Sequence, residues 1–344
     1  MIVIDAVDML MRLFKDPVRA RDQLVTLHRW LSRQELTAVM TVKAAESLRQ
    51  EYDYLDFMAD CVINIDQRIQ EQVSTRRLKV MKYRGSGFAS REHPFVISGQ
   101  GVVVMPLSSV GLVQHTIGGF VSTADPKLDA MLGGGYRKGS SILVSGPSGS
   151  GKTTFAFMLA TAAARRGERV LYLSFEQSRP AIASEMKTVG FDLEPLIENG
   201  VLRITSVMPE SMGTEEHLYR IIQEIEEYKP EHLVLDAISA THRIGSSQAA
   251  MEFLIRLYHA AKKREITCIY TNQTFANVEE SIQISGLGIS SLVDTAVILN
   301  YFRERDRVGR TMLVLKSRGT RHSDSYHEFK ITDNGIIIED STGK

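Results

Sequence analysis

Cysteine is scarce. The chain of 344 residues carries two, Cys61 and Cys268, too few for a disulfide framework. Both lie in apolar, strand-like runs and read as buried small hydrophobes in a reduced, cytosolic protein. Net charge is missing as well. Lys+Arg and Asp+Glu balance at 41 each, so no overall field draws the chain to nucleic acid or to a membrane surface. No apolar run reaches the ~18 residues of a membrane span, and the opening Met1-Ile2-Val3-Ile4-Asp5 has no basic segment of the kind that begins a secretory leader. What is present is globular in composition, 43% hydrophobic, in a chain long enough for two domains.

Residues 146–153 read Gly-Pro-Ser-Gly-Ser-Gly-Lys-Thr, a complete phosphate-binding loop of the G-x-x-x-x-G-K-[ST] kind. The apolar run Ile142-Leu143-Val144 leads into it, a helix-forming run 154–166 leaves it, and Gly167 supplies a stop. That context matters because the loop works as a strand-to-helix turn. Its glycines let successive N–H groups curl around a β-phosphate, over a helix N-terminus carrying roughly half a positive charge. Gly146, Ser148, Gly149, Ser150, Gly151 and Thr154 frame the cradle. Lys152 reaches the β- and γ-phosphates and Thr153 carries a hydroxyl for Mg²⁺. The chain is therefore expected to bind a nucleoside triphosphate.

The sequence also repeats itself. Ile2-Val3-Ile4-Asp5-Ala6-Val7 returns as Leu233-Val234-Leu235-Asp236-Ala237-Ile238, and Leu78-Lys79-Val80-Met81-Lys82-Tyr83-Arg84-Gly85 as Met312-Leu313-Val314-Leu315-Lys316-Ser317-Arg318-Gly319. Hairpin-like segments close both copies, at 94–101 and 328–335. A period this long means duplicated domains. Only the second copy has the P-loop, about ninety residues ahead of Asp236. We expect residues 1–106 to be the C-terminal half of one nucleotide-binding domain, 107–122 a linker, and 123–344 a complete domain. A half sheet would expose a strand edge and an apolar face.

The second domain alternates strands at 170–175, 201–205, 232–236 and 266–271 with helices at 181–189, 215–228 and 248–264. This pattern predicts an α/β fold with a mostly parallel twisted sheet covered on both faces. The chain after Val293 turns to consecutive strands, at 296–301, 311–317 and 326–338, which predicts an antiparallel extension. Asp236 ends a buried apolar strand, the place from which a carboxylate supports Mg²⁺ across from Thr153. Glu176 ends another, where a carboxylate can polarise an attacking water or hydroxyl beside the γ-phosphate and stand near the metal. The alternative for Glu176 is a helix-capping role.

With these residues in hand a resemblance becomes specific. Leu128-Asp129-Ala130-Met131-Leu132-Gly133-Gly134-Gly135 is similar to the opening signature of RecA-like P-loop ATPases. Phe175-Glu176-Gln177-Ser178, Thr271-Asn272-Gln273 and Lys316-Ser317-Arg318-Gly319 resemble the KaiC family of circadian-clock ATPases, as does the tandem arrangement. The resemblance implies a homohexameric ring with ATP and Mg²⁺ between subunits and Gln273 beside the nucleotide. Lys316 and Arg318 would then reach onto the neighbour's γ-phosphate. It further implies autophosphorylation on adjacent hydroxyls, here Ser290 and Ser291. Some features depart from the clock members. Gln177 stands where a second Glu is usual, Val189 replaces an aromatic that contacts adenine, Ser291 stands where Thr is common, and the chain stops soon after the last strand. Timekeeping does not follow.

Two other readings compete. A recombination-type RecA ATPase acting on DNA needs basic loops. The candidate loops are 241–249, with His242 and Arg243, and 275–288, with Glu279 and Glu280 and no Lys or Arg. That charge balance argues against DNA. The other reading is a regulatory ATP-binding ring scaffold with little turnover, against which Glu176, Lys316 and Arg318 stand.

Overall fold

The computed structural model describes residues 1–14, 16–43, 49–70, 73–105, 118–274, 291–304 and 306–339. Two compact units emerge, one of residues 1–66 with 77–93, the other of residues 67–76 with 94–344.

In the first unit, strand β1 (Ile2–Ile4) is followed by helices α1 (Val7–Met11) and α2 (Pro17–Arg33), then strand β2 (Ala38–Met40) and helix α3 (Arg49–Met58); strands β3 (Cys61–Gln70) and β4 (Val73–Tyr83) follow, with residues 67–76 counted in the second. Helix α2 starts where the sequence says it must. Asp16 caps it by accepting from the Val18 amide, and Pro17, which has no N–H to lose, takes the first turn. Strands β1 and β2 pair in parallel, over a small cluster of Val7, Met11, Ala20 and Leu24. Alternation along β3 turns Cys61, Ile63 and Ile65 to the exposed side. The expectation of a buried Cys61 is therefore wrong: the run is apolar, but this thiol falls on its solvent face. Cys268 is buried, as expected, and burial pushes its thiol up to about 11.

The second unit opens with the hairpin β5 (His93–Ser98) and β6 (Gly101–Val104), then β7 (Phe120–Val121), α4 (Pro126–Met131) and β8 (Tyr136–Arg137). The alternating region follows: β9 (Ser141–Gly146), α5 (Lys152–Arg165), β10 (Val170–Ser174), α6 (Arg179–Thr188), α7 (Glu194–Glu198), β11 (Leu202–Ser206), α8 (Thr214–Tyr228), β12 (His232–Asp236), α9 (Ser247–Lys262) and β13 (Thr267–Gln273). It closes with β14 (Thr295–Glu304), β15 (Arg307–Ser317), β16 (His327–Thr332) and β17 (Gly335–Ile338). Nine strands form one sheet in the order β11-β10-β12-β13-β9-β14-β15-β16-β17. The first six run parallel and the last three pair antiparallel, as expected.

Period-two alternation splits the core in two. Val144, Tyr172, Val234, Ile269, Val297 and Leu299 face α5. Leu143, Leu171, Leu173, Leu233, Leu235 and Tyr270 face α8 and α9, so both faces of the sheet are covered. No helix among the described residues is long and apolar enough to cross a membrane. Of the expected linker, residues 106–117 lie outside the described residues, and Phe120–Val121 pairs with Tyr136–Arg137.

Candidate functional site

The P-loop joins β9 to α5, and its glycines are there for space. A Cβ on Gly146 would lie 2.3 Å from the Leu299 carbonyl oxygen, and Gly149 and Gly151 hold φ near 74° and 101°. These left-handed turns fold the loop over the start of α5. Lys152 and Thr153 thereby fall in the first helical turn, two residues earlier than the sequence suggests. Ser150 is fully buried, and its Oγ has no hydrogen-bond partner within the described structure. A donor left over inside a ring of backbone N–H groups fits an anion.

Lys152 donates to the Pro147 carbonyl at 2.7 Å. Burial pushes its ammonium below the ordinary lysine value, with Asp236 and Glu176 pulling the other way. All three expected charges thus converge on one place. Asp236 is 8% exposed and collects hydroxyls: Thr153 Oγ1 donates to it at 2.9 Å, Tyr172 at 2.5 Å, and Thr271 also donates. A buried carboxylate beside the P-loop hydroxyl is an oxygen donor pair suited to Mg²⁺, which takes few protein ligands and keeps its waters. Tyr172 holds its phenol proton well above the ordinary value because it is buried and faces Asp236. Glu176 lies just past the end of β10, exposed. The neighbouring Gln177 turns its amide away, onto Glu185 of α6 at 2.8 Å. Gln273 ends β13, its main-chain N–H donating to Ser239 Oγ at 3.3 Å, and Thr154 packs inward, 7% exposed. The other departure, Val189, packs against the core beneath α5.

Lys316, Arg318 and Ser291 are elsewhere. Strand β14 runs parallel to β9 with Thr295 opposite Ile142, and β15 returns with Lys316 opposite Ala296 and Ser317 opposite Thr295. These three residues therefore lie toward the end of the sheet where β9 begins, while the P-loop sits where β9 ends. Lys316 is level with Leu143, three residues of strand from Gly146, and Arg318 lies about five away, roughly 10 and 17 Å. Arg318 Nη2 donates to the Ser291 carbonyl at 2.5 Å, and its Nη1 is 4.0 Å from Asp294. Burial, then the neighbouring Arg318, depresses the Lys316 ammonium. Ser290 lies outside the described residues, as does the candidate DNA loop 275–288. The other candidate loop, 241–249, is a 3-10 turn running into α9.

Sequence reasoning missed three parts of the site. Tyr172 reads as core in an apolar strand, yet its hydroxyl serves Asp236. Tyr301 and Arg310, a cross-strand pair of the β14–β15 hairpin, brace the P-loop from outside. Tyr301 donates to the Ser148 carbonyl at 3.2 Å, and Arg310 to that of Gly149 at 3.4 Å. Asp294 and Lys262 form a buried ion pair at 2.7 Å, with no local signal in either segment.

Comparison with known proteins agrees with this geometry. A family described as "ATPase: KaiC" matches residues 1–109 and 121–343. The chain is 34% identical over 345 residues to the "Circadian clock protein KaiC2" of Synechocystis sp., covering 100% of this chain and 61% of that protein. It is 32% identical over 340 residues to the "Circadian clock oscillator protein KaiC" of Parathermosynechococcus lividus, covering 98% of this chain and 63% of the relative. A relative of the same name from Synechococcus elongatus is 32% identical over 340 residues, with 98% and 65% covered. The chain thus spans less than two thirds of the length of these relatives. The match favours the clock-type reading of the fold over the recombination-type alternative.

Proposed function

The chain belongs to the KaiC ATPase family, and from that premise we propose that it binds and hydrolyses ATP between subunits of a homohexameric ring and phosphorylates itself. The observation that supports this most is the separation of its parts. The P-loop lies at the C-terminal end of β9, while Lys316, Arg318 and Ser291 lie toward its N-terminal end. A single copy holds them apart, which supports chemistry at the contact between copies.

In this reading Gly146, Ser148, Gly149, Ser150, Gly151, Lys152 and Thr153 hold the phosphates, with Thr154 and Gln273 alongside. Thr153 and Asp236 would hold Mg²⁺, with Glu176 nearby, and the ion would neutralise phosphate oxygens. Glu176 takes the proton from an attacking water as its oxygen bonds to the γ-phosphorus and ADP leaves. Lys316 and Arg318 of a neighbouring copy neutralise charge that grows in the transition state, worth on the order of 10³–10⁵ in rate. When the attacking oxygen is the hydroxyl of Ser290 or Ser291 instead of water, the same step leaves a phosphoserine. Residues 123–344 form the catalytic domain, 1–106 the C-terminal half of a second, and 107–122 the linker. A cytoplasmic setting suits two unpaired thiols.

The test is Lys152→Ala, which should abolish both ATP binding and turnover, alongside Glu176→Gln, which should retain binding and lose turnover. Intact mass after incubation with Mg²⁺-ATP should show added phosphate in the wild type alone. Wild-type turnover in Lys152→Ala would overturn the site. Unchanged turnover in Glu176→Gln would remove Glu176 as the base, and a wild type that binds ATP without turning it over would leave the ring as an ATP-binding scaffold.

A further inference from the structure

Asp294 stands where four segments meet. Its Oδ2 accepts from the Ser141 amide at 2.8 Å, from Ser141 Oγ at 2.9 Å and from Lys262 Nζ at 2.7 Å. Lys262, at the end of α9, also donates to the Gly139 carbonyl at 2.8 Å. Through the backbone, Asp294 N–H donates to Ser141 O at 2.9 Å and the Arg318 amide donates to Asp294 O at 2.9 Å. Its Oδ1 faces the Arg318 guanidinium, which in turn holds the Ser291 carbonyl. Burial alone would raise this carboxyl, but the Lys262 ammonium overrides it and holds the group below the usual carboxylate range.

We propose that Asp294 is a positioning residue for the intersubunit chemistry, fixing the Arg318 guanidinium and the Ser291 main chain against the root of β9 and the end of α9. The inference rests on the function proposed above. It concerns no atom that touches nucleotide. Asp294 acts through Arg318 and through the acceptor segment.

The first copy provides the control. Arg84 repeats the arrangement, donating to the Phe57 carbonyl at 2.8 Å and to Asp60 at 3.3 Å, with the Arg84 amide on Asp60 O at 2.9 Å. Yet the Asp60 side chain is 75% exposed, whereas that of Asp294 is 9% exposed. The arginine–carbonyl clamp is thus common to both copies. The buried anchor of Ser141 and Lys262 belongs to the copy with the P-loop. A carboxylate held by an ammonium and a backbone N–H has little room to move, and it sets a fixed negative charge 4.0 Å from the Arg318 guanidinium. Such fixity matters because a misplacement of about 1 Å in a reacting constellation costs on the order of a hundredfold in rate.

Mixed rings locate where the defect acts. Asp294→Asn should lose turnover roughly tenfold and bind ATP like the wild type, because its own P-loop is intact. Combined equally with Lys152→Ala, whose P-loop is dead but whose Arg318 is intact, it should recover to roughly a quarter of the wild-type rate, since one contact in four pairs a good P-loop with a good neighbour. Combined with Arg318→Ala it should recover nothing, because both variants fail on the same side. Lys262→Gln, which loosens the anchor from a different element, should follow the same pattern if Asp294→Asn does not assemble. No rescue by Lys152→Ala in rings shown to be mixed, or full turnover in both variants, would overturn the positioning role. If Arg318→Ala alone keeps full turnover, the intersubunit function falls, and this inference with it.

Discussion

The two copies of the repeat share their polar contacts and differ in their cover. Asp5, just past β1, accepts from Thr41, just past β2, at 2.5 Å, much as Asp236 at the end of β12 accepts from Thr271 in β13, and in both cases the two strands pair in parallel. Arg84 and Arg318, 234 positions apart, each clamp a carbonyl 27 residues upstream. The same offset carries Ile63 to Val297 and Ile65 to Leu299. Here the copies part: Ile63 and Ile65 are 51% and 57% exposed, while Val297 and Leu299 are 0% exposed. The contacts at the strand ends recur in both copies and therefore belong to the fold. In the second copy a strand–loop–helix both covers the apolar face and presents the phosphate cradle.

The sharpest way to break this comparison is at the two arginines. Arg318→Ala should keep ATP binding and lose turnover by about a hundredfold or more, because the group acts on charge that develops during reaction. Arg84→Ala, which removes the same clamp from the first copy, should leave turnover within twofold of wild type. Comparable losses in both, read by steady-state phosphate release, would mean that the clamp rather than the neighbour's phosphate explains Arg318.

A smaller effect is expected from the cover. Leu299→Ala should cost about 2–5 kcal/mol in urea unfolding, as a buried leucine leaves a cavity beneath α5. Ile65→Ala, at the matching exposed position, should change stability by about 0.5 kcal/mol or less. A large loss at Ile65 would show that something covers that face in solution.

The smallest difference lies in the closing hairpins, which match residue for residue. Ser98 pairs with Gly101 and Thr332 with Gly335, both glycines at φ near 100°. A Cβ on Gly101 meets nothing within 4 Å, whereas one on Gly335 lies 3.2 Å from Phe191. Each alanine substitution should cost about 1 kcal/mol for the left-handed backbone, and Gly335→Ala a few tenths more. Equal midpoints for the two variants would remove Phe191 from the account.

Much of this was legible in the chain because it is written locally. The P-loop needs particular residues in a row, and the strand 232–236 was bounded by its own apolar pattern. The hairpin match follows from turn glycines. The site's supports were not legible, for physical reasons. Ser141, Lys262 and Asp294 come from three distant segments, and only the sheet's register brings them together. Cys61 was misjudged because an apolar run says nothing about which side of a strand a residue takes, and Tyr172 went unmarked because such a run does not show what a phenol hydroxyl reaches.

If the P-loop sits at one end of the strands and the groups that complete it toward the other, each copy carries half of two sites and the whole of none. A lone chain then has no complete site, an open row of n copies has n − 1, and a closed ring has n. Activity per chain should climb with concentration as copies meet and level off at ring closure, so that dilution alone would silence a protein whose every residue is intact.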